Sequence, residues 1–368
     1  MEKTLSKSNS IVSLQDIIKI AIAKNASDIL FSTGYPPYLK IVGEWIRFTD
    51  RPYYRKDIDN IIDEILSSSS GGESIKRYIS RVHQVDFSFQ VGDENNGIRF
   101  RANIFETLKG LSIALRSIPI KIPDMSTLGL PPVAKDLVDA RKGLVLVTGA
   151  TGQGKSTTLA AIINEINKKY NKNIITIEDP IEYIFPVKKS IIHQREVMSS
   201  VTDFSYGVKA ALREAPDVIF VGEMRDLETM ANTLTAAETG HLVFATLHSN
   251  SAPETIDRIV DVFPAHKREQ IRLQFASVLN TVICQQLVPS ADKSRLVLAT
   301  EVMRGTPAIR TLIREGKTNQ IKNEIQKGKR EKMHTMEQSL KELASKGIIT
   351  ETSAHEYAFD REFYNQLR

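Results

Sequence analysis

The stretch Gly149-Ala-Thr-Gly-Gln-Gly-Lys-Ser156 decides the fold of this chain, because it follows the apolar run Gly143–Thr148 and precedes the helical run Thr157–Ile162. The pattern G-x-x-x-x-G-K-S between a strand and a helix is typical of a phosphate-binding loop. Its glycines let backbone N–H groups approach phosphate oxygens, and the lysine brings an ammonium to the terminal phosphates. The serine hydroxyl suits a magnesium ion that bridges two phosphates. The stretch therefore predicts a nucleoside triphosphate site.

The predicted contacts of this loop with the nucleotide can be named residue by residue. They are Gly149, Ala150, Thr151, Gly152, Gln153, Gly154, Lys155, Ser156 and Thr157. A chance match of a glycine-rich turn is the alternative, and the required order of strand, loop and helix disfavours it.

From Gly143 onwards, apolar strands alternate with polar loops and helices, which is typical of a parallel sheet covered on both faces. The predicted strands are Leu144–Thr148, Ile174–Ile177, Ser190–Ile192, Val218–Val221 and Leu242–Thr246. Polar residues follow several of these strands, namely the phosphate loop, Glu178-Asp179, Gly222-Glu223 and Leu247-His248. Because ligands of open α/β sheets bind at the carboxyl edge, we expect these residues to line one cleft.

The chain before Pro119 has the mixed pattern of a smaller α/β domain. Residues 1–10 are polar and predicted to be disordered. Helices are predicted over Ile11–Ile22 and Lys56–Ser67, with a flexible loop over Ser67–Gly72. The predicted strands are Asp28–Phe31, Tyr38–Val42, Gln84–Phe89, Gly97–Ile104 and Leu111–Arg116. Four prolines between Pro119 and Pro132 favour an extended linker.

The chain after Pro253 is predicted to be largely helical. The helical segments are Gln270–Gln286, Pro307–Gly316 and Met336–Lys346. In Ala308–Glu315, Ile309, Leu312 and Ile313 share one helix face, which we expect to pack in the interior. Arg310 and Arg314 lie one turn apart, so they either contact a partner or remain solvated charges.

Composition limits the class of protein. The 368 residues suit two domains, and 41% hydrophobic residues suffice for both cores. Cys284 is the only cysteine, which excludes a disulfide framework and a four-cysteine zinc site. Neither a signal peptide nor a membrane span is evident, so we expect a soluble, cytoplasmic protein.

Charge adds little to that classification. The net charge is +5, with nine basic and three acidic residues between Arg304 and Lys332. This excess is typical of a solvated helical face, and binding to a polyanion or an anionic membrane surface is the alternative.

A second nucleotide-binding element is predicted at Val218-Ile-Phe-Val-Gly-Glu223. An apolar strand that ends in a carboxylate is typical of a Walker B strand, whose acid holds the magnesium ion or its water. Arg213 and Arg225 flank this acid along the chain. A merely solvated carboxylate is the alternative, which the nearby phosphate loop disfavours.

These motifs together resemble the secretion ATPases of types II and IV. Leu212-Arg-Glu-Ala-Pro-Asp-Val-Ile-Phe-Val-Gly-Glu-Met-Arg-Asp226 is similar to the family signature, and Ile177-Glu-Asp-Pro-Ile-Glu182 resembles its aspartate box. Ala236-Ala-Glu-Thr-Gly-His-Leu-Val-Phe-Ala-Thr-Leu-His248 resembles its histidine box. Ala308-Ile-Arg-Thr-Leu-Ile-Arg-Glu315 is close to a motif of the pilus-retraction branch. The resemblance runs from about Leu14 to about Leu340.

The resemblance implies a fold and a function. The fold would be α/β, with an N-terminal PAS-like mixed α/β domain over residues 1–118, a linker over 119–132, and a RecA-like P-loop ATPase domain with a C-terminal helical bundle over 133–368. The function would be an ATP- and Mg²⁺-dependent homohexameric motor that powers type IV pilus retraction and twitching motility. It would work in the cytoplasm, peripherally at the inner face of the cell membrane.

The resemblance also implies partners. These would be a PilC-like inner-membrane platform protein and, in addition, PilU-like and PilB-like ATPases. A RecA-like nucleic-acid motor is the alternative, but basic loops interleaved with aromatic residues are not evident, so no nucleic acid is expected. A non-hydrolysing regulatory subunit is disfavoured because the key side chains of the phosphate loop and both acidic boxes are present.

The roles of individual residues are likewise implied by the resemblance. Lys155 and Ser156 would bind phosphate and magnesium, and Glu223 would hold the metal's water shell. Glu182 is the candidate general base, with Glu178 and Asp179 as alternatives. The remaining implied nucleotide-site residues are His241, His248, Arg213, Arg101 and Arg116. The two histidines, at the ends of one strand, are expected to face the cleft, where they would sense the phosphate or link the cleft to its neighbour. Arg101 and Arg116, with Arg99 as a rival for Arg101, would be brought to the nucleotide by domain closure.

At four places this chain differs from the usual sequence of the retraction branch. These differences bear on the choice of branch within the family and not on membership of the family. Ala150 and Gln153 replace a usual proline and serine, Glu214-Ala215 replaces Gln-Asp, and Thr311 replaces asparagine. Ala150 and Ala215 resemble the accessory PilU-type branch, which leaves the choice of branch open. The assembly branch is disfavoured because this chain lacks the four-cysteine insertion.

Overall fold

The computed structural model describes residues 12–41, 43–67, 72–92, 97–118 and 121–367. The chain folds into two compact units. The N-terminal unit extends to Lys121 and also contains two later segments, Asp179–Ile184 and Glu196–Thr202. The C-terminal unit contains the rest of the chain from Ile122. The two later segments were not expected in the N-terminal unit.

The N-terminal unit is a mixed α/β structure, as predicted. Its strands are β1 (Asp28–Ser32), β2 (Tyr38–Ile41), β3 (Glu44–Arg47), β4 (Gln84–Val91), β5 (Ile98–Thr107) and β6 (Gly110–Ile118). Its helices are α1 (Leu14–Ala23), α2 (Arg55–Ser67) and α3 (Gly72–Val82). Within the described residues, the strands form one antiparallel sheet in the order β3-β2-β1-β6-β5-β4.

The core of this unit follows from the period-2 pattern of its strands. Val85, Phe87 and Phe89 of β4 are buried, as are Phe100, Ala102 and Ile104 of β5. The apolar faces of α1 and α2 cover the same cluster of side chains. The opposite face of the sheet therefore carries the polar residues of these strands, including Arg99 and Arg101.

The C-terminal unit is built on a second sheet. Its strands are β7 (Gly143–Thr148), β8 (Asn173–Glu178), β9 (Ile191–Glu196), β10 (Val218–Val221), β11 (Leu242–Leu247), β12 (Leu279–Pro289) and β13 (Leu296–Arg304). The strand order among the described residues is β13-β12-β7-β11-β10-β8-β9. Strands β12, β7, β11, β10 and β8 are parallel to their neighbours in that order, and β13 is antiparallel to β12. The predicted parallel sheet is confirmed.

The helices of this unit precede, connect and follow these strands. They are α4 (Val133–Val138), α5 (Lys155–Lys169), α6 (Phe204–Ala211), α7 (Leu227–Glu238), α8 (Ala252–Asp261), α9 (Arg268–Val278), α10 (Pro307–Arg314), α11 (Ile321–Lys327), α12 (Met336–Ser345), α13 (Glu351–Tyr357) and α14 (Arg361–Gln366). Every residue of β7 and β11 is buried, as expected for central parallel strands covered on both faces.

One predicted helix is wrong in its second half. Helix α9 ends at Val278, and the remainder of the predicted Gln270–Gln286 helix is the first part of β12. The β-branched run Thr281-Val-Ile283 fits a strand that pairs with β7 on one side and β13 on the other. The apolar residues of this run are buried on both faces of the sheet, so neither helical nor alternating periodicity was visible in the sequence.

Smaller differences concern the N-terminal unit and the predicted linker. Strand β3 and helix α3 were not predicted. Within the predicted linker, Asp124 caps a short 3₁₀ turn at Met125–Thr127 through a hydrogen bond from Ser126 N. Residues 1–11, Val42, most of the predicted loop at Ser67–Gly72, and 119–120 lie outside the described residues, so the start of the predicted helix at Ile11 is among them.

Arg310 has a structural role that the sequence did not reveal. Its Nε donates to the carbonyl of Gly305 at 2.8 Å and its Nη2 donates to Leu279 O at 2.7 Å. Its Nη1 donates to the carbonyls of Ala276 and Ser277. These contacts cap the carboxyl end of α9, where helix carbonyls have no intrahelical partner. The alternative of a solvated charge is therefore wrong for Arg310, and its contact with a neighbouring subunit or membrane partner stays a prediction.

The other residues of this helix also differ from expectation. Ile309 and Ile313 are buried, whereas Leu312 is only half-buried and lines an open groove between α10 and α11. Arg314 is exposed, and its Nη2 donates to Thr311 Oγ1 at 2.9 Å. The predicted packing of this face is therefore confirmed for Ile309 and Ile313 and only in part for Leu312.

Replacement of Arg310 with alanine should lower the melting temperature by about 5 °C, because carbonyls at the end of α9 lose their donor at a cost of about 2 kcal/mol. Arg314→Ala is the matched control on the same helix and should change it by less than about 1 °C. Differential scanning calorimetry measures both. Equal melting temperatures of the two variants would contradict the capping role.

A buried carboxyl group predicts how stability depends on pH. Glu301 of β13 is 5% exposed and accepts a hydrogen bond from Ala252 N at 2.7 Å. Burial, with the nearby charge of Glu337 as a smaller cause, raises its pKa from 4.5 to about 7. A raised pKa in the folded state means that the stabilisation is complete below pH 4.5 and is lost as pH rises through 7.

The melting temperature of the wild type should therefore fall between about pH 5 and about pH 8, and this fall should be smaller in Glu301→Gln. Thermal denaturation across that pH range makes the measurement. Parallel curves for the two proteins would show that Glu301 does not titrate there.

Candidate functional site

The loop between β7 and α5 has the backbone geometry of a phosphate cradle. Gly149, Gly152 and Gly154 have φ values of +144°, +82° and +78°. A Cβ at Gly149 would lie 2.5 Å from the carbonyl oxygen of Gln285, so this position has no room for a side chain. No side chain caps the N-terminus of the 15-residue helix α5. The partial positive charge and the N–H groups at that end therefore favour an anion.

Lys155 places an ammonium group over this loop. The residue is 9% exposed, and its Nζ donates to Gly149 O at 2.8 Å and to Ala150 O at 3.0 Å. The same nitrogen lies 3.4 Å from Nδ1 of His248. A buried cation requires such acceptors. These contacts hold the ammonium against the backbone of the loop.

His248 connects this lysine with Glu223. Its Nε2 lies 3.0 Å from Oε1 of Glu223, whose Oε2 is 2.8 Å from Nη2 of Arg225. A lysine ammonium only donates, so the Nδ1 atom that faces it must accept. The proton of the imidazole then belongs on Nε2, where it is donated to the carboxylate. Lys155, His248, Glu223 and Arg225 thus form one connected polar network.

This network lies at the carboxyl edge of the sheet, because its members follow β7, β11 and β10. Thr246 Oγ1 donates to the carbonyl of Gly222, and Met224 N donates to Thr246 O at 3.0 Å. These bonds tie the segment after β10 to β11. The predicted convergence of the phosphate loop, Glu223 and His248 on one edge is confirmed.

The three candidate bases have different surroundings. Glu178 is buried at the end of β8, where its Oε1 accepts from Thr176 Oγ1 at 2.7 Å and from Gln194 Nε2 at 3.2 Å. Asp179 and Glu182 are half-buried and belong to the Asp179–Ile184 segment of the N-terminal unit. The aspartate box is therefore divided between the two units, immediately after Glu178.

The candidate arginines lie on the polar face of the N-terminal sheet. Arg101 of β5 and Arg116 of β6 are directly opposite each other. Arg101 Nη2 is 3.5 Å from Asp86 Oδ1, and Arg116 Nε is 2.8 Å from Asp28 Oδ1. Their side chains are 44% and 70% exposed, whereas that of Arg99 is 17% exposed and lies beside Glu196. Arg101 and Arg116 are thus more accessible to a ligand than Arg99.

Two predicted nucleotide contacts lie at the wrong edge of the sheet. His241 directly precedes β11, and the six residues of that strand separate it from His248 by about 20 Å. Its Nδ1 lies 3.0 Å from Ala236 O and 3.1 Å from Thr239 Oγ1. Arg213 is exposed and precedes β10, also on the amino side. The expectation that both histidines face the cleft is wrong for His241. Arg213 is likewise at the opposite edge of the sheet from the phosphate loop.

Sequence reasoning missed several residues that support the site. Gln153 Oε1 accepts from Leu287 N at 2.5 Å, and Gln285 Nε2 donates to Gln153 O at 3.1 Å. Gln153, noted as a departure from the family pattern, therefore fastens the phosphate loop to β12. Arg258 of α8 donates to the carbonyl of His248. The segment of β12 had been predicted as a helix, so this support could not be recognised.

Two negative findings apply to the described part of the chain. In that part, no group of three or more His, Cys, Asp or Glu side chains is arranged so that it could hold a metal ion. None of the helices that the structure describes is long and apolar enough to cross a membrane.

Known proteins match the chain over nearly its whole length. The profile of the family described as "Type II/IV secretion system protein" matches residues 5–366. The type IV pilus retraction ATPase PilT of Pseudomonas aeruginosa is 43% identical over 94% of this chain and 98% of its own length. The type IV pilus ATPase PilU of the same organism is 35% identical over 94% of this chain and 88% of its own length.

A solved structure agrees with these matches. The crystal structure of the pilus retraction motor PilT with bound ADP superposes with a TM-score of 0.86 at 43% identity, covering 97% of this chain and 100% of that one. Together with the phosphate loop and its Lys155–His248–Glu223 network, these findings show that the chain belongs to the type II/IV secretion system protein family.

Proposed function

We propose that this protein is an ATP-hydrolysing motor that powers type IV pilus retraction, and with it twitching motility. The observation that carries the proposal is the polar network of Lys155, His248 and Glu223 around an uncapped helix N-terminus. It occurs in a chain that aligns almost end to end with the PilT retraction ATPase. Such a network suits phosphoryl transfer, which depends on positioned cations and carboxylates.

ATP and Mg²⁺ are the proposed ligands, and the residues present fit both. Residues 149–157 would hold the phosphates through backbone N–H groups and the Lys155 ammonium, while the Ser156 hydroxyl would bind the metal. Glu223 already contacts Arg225 and His248, which suits a carboxylate that orients metal-bound water rather than one that binds the ion directly. Bound Mg²⁺ would neutralise charge on the phosphate oxygens.

Glu182 is the proposed general base. Glu178 is buried, and its carboxylate is engaged by Thr176 and Gln194, which leaves it less able to take a proton from water. Glu182 is half-buried on a loop, so its carboxylate is the more accessible of the two. Asp179 remains the second alternative. A base must reach a water molecule in line with the γ-phosphate.

We assign cationic roles at the nucleotide to Arg101 and Arg116. Both are partly or largely exposed and lie opposite each other on paired strands, so they could act together on spreading negative charge. We assign His241 and Arg213 instead to contacts with a neighbouring subunit, because both lie at the amino edge of the sheet. His241 would then connect that edge to the next subunit's site.

The assembly proposed for this activity is a homohexamer. Domains of residues 1–118 and 133–368, joined by a linker at 119–132, would open and close on hydrolysis. The antiparallel sheet with helices in the N-terminal unit supports its assignment as PAS-like, and the parallel sheet supports a RecA-like ATPase.

The proposed partners are a PilC-like platform protein and, additionally, PilU-like and PilB-like ATPases. The location would be cytoplasmic, at the inner face of the cell membrane.

A PilU-like accessory role is the second candidate. Ala150 and Ala215 favour it, whereas the higher identity to PilT than to PilU favours a main retraction motor. Deletion of the gene in its host separates the two. A main motor should give hyperpiliated cells without twitching, and an accessory ATPase should leave substantial retraction.

Replacement of Lys155 with alanine should reduce ATP turnover by about 100-fold or more, because the loop loses its cation for the terminal phosphates. Lys169→Ala in the same helix is the matched control, since its ammonium pairs with Asp139 at the surface. A coupled phosphate-release assay measures both, with size-exclusion chromatography to compare their assembly. Wild-type turnover in Lys155→Ala would refute the proposed ATPase.

The assignment of the base predicts a difference between two glutamine variants. Glu182→Gln should lower kcat by about 100-fold while ADP binding is retained, because the amide keeps its size but cannot accept the proton. Glu178→Gln should have the smaller effect on kcat. Steady-state kinetics and ADP titration calorimetry test this, and the reverse order of the two effects would transfer the role to Glu178.

A further inference from the structure

One buried carboxylate, Glu196, gathers contacts from distant parts of the N-terminal unit. Its side chain is 9% exposed, and its Oε1 accepts from Ser88 N at 3.2 Å. Its Oε2 accepts from Ser88 Oγ and, at 3.0 Å, from Ile181 N. Arg99 Nη2 lies 3.7 Å from the same oxygen. The carboxylate thus joins β4 and β5 to the segment Asp179–Ile184.

These contacts give Glu196 a position that few other side chains could fill. A carboxylate offers about four lone-pair sites on two oxygens, and here two backbone N–H groups and a hydroxyl donate to them. The Arg99 guanidinium donates to Ser88 Oγ and faces the carboxylate as a positive charge. An uncharged or shorter side chain would leave some of these donors without an acceptor. Because the site is buried, such donors are costly to leave unsatisfied.

The bond to Ile181 N bears directly on Glu182. Ile181 and Tyr183, on either side of Glu182, are 8% and 7% exposed, so the backbone is anchored at both neighbours. Further along the chain, Phe185 N donates to Gln194 Oε1 at 3.0 Å. Glu182 therefore lies between two backbone amides that donate to side chains, Ile181 N and Phe185 N. Ile181 directly precedes Glu182 in the chain. A shift of its amide would move the Glu182 carboxylate directly.

We infer that Glu196 is a positioning residue for the general base: through Ile181 N it fixes the loop that holds the Glu182 carboxylate against the reacting water. The inference rests on the proposed function, because it assumes hydrolysis with Glu182 as the base. It adds a residue outside the recognised motifs, at the end of β9, and makes Ser88 and Arg99 of the N-terminal sheet part of the base's support. Arg99 then serves this support rather than the nucleotide.

The test is Glu196→Gln, which keeps the size of the side chain but removes its charge and one acceptor oxygen. We expect kcat to fall about tenfold, since a small misplacement of a catalytic group is costly, while KM for ATP and the Kd for ADP change by less than about twofold. Hydrogen exchange measured by mass spectrometry should be faster in the peptide that covers Asp179–Ile184.

Glu337→Gln is the matched control for burial. Glu337 is 2% exposed, accepts from Asp360 N at 3.0 Å and lies 3.9 Å from Lys322. Its replacement should lower the melting temperature without changing kcat.

A double-mutant cycle separates positioning from a general structural role. In a Glu182→Gln background, single-turnover rates should be the same with and without Glu196→Gln, because there is no base left to position. Two results would overturn the inference. One is a single-turnover rate that Glu196→Gln still lowers about tenfold in the Glu182→Gln background, and the other is a normal kcat in Glu196→Gln alone.

Failure of the proposed function would look different. Full turnover in Lys155→Ala would refute the ATPase assignment itself. Full turnover in Glu182→Gln would refute the base and, with it, the role of Glu196.

Discussion

The site depends on the burial of one positive charge, the ammonium of Lys155. A buried cation requires acceptors, and here they are two carbonyls of the phosphate loop and a nitrogen of His248. This requirement sets the tautomer of the imidazole, which in turn orients Nε2–H towards Glu223. The Lys155 ammonium, in the segment after β7, therefore helps to orient the Glu223 carboxylate, in the segment after β10. Lys155, His248 and Glu223 thus belong to one electrostatic network.

The backbone around that lysine is equally constrained. Gly149 passes so close to the carbonyl of Gln285 that a side chain would collide with it, and Gln153 bonds to the adjacent residues of β12. The loop is thus shaped by β12, a strand that lies more than 120 residues later in the chain. Because β12 pairs with β7 on one side and β13 on the other, the position of the loop depends on the whole sheet.

The sequence alone predicted the elements whose signals are local. The strands that end at Thr148, Val221 and Leu247 were each found within one residue, because apolar runs bounded by glycine or polar residues encode them locally. The same reasoning failed for β12, since a strand buried on both faces has no periodicity that separates it from a helix. It also failed for Arg310, whose acceptors at Leu279 and Ala276 lie 31 and 34 residues earlier.

Contacts over long sequence separations also explain why the supporting residues of the base were not predicted. Nothing near Glu196 in the sequence indicates a bond to Ser88, which lies 108 positions away. These contacts show which unit holds Glu178 and which unit holds the loop of Glu182. Glu178 is held by Thr176 and Gln194 in the C-terminal unit, whereas the loop of Glu182 is held by Glu196 in the N-terminal unit. Glu178 and Glu182 are therefore held by hydrogen bonds within different units, although they stand only four residues apart in the sequence.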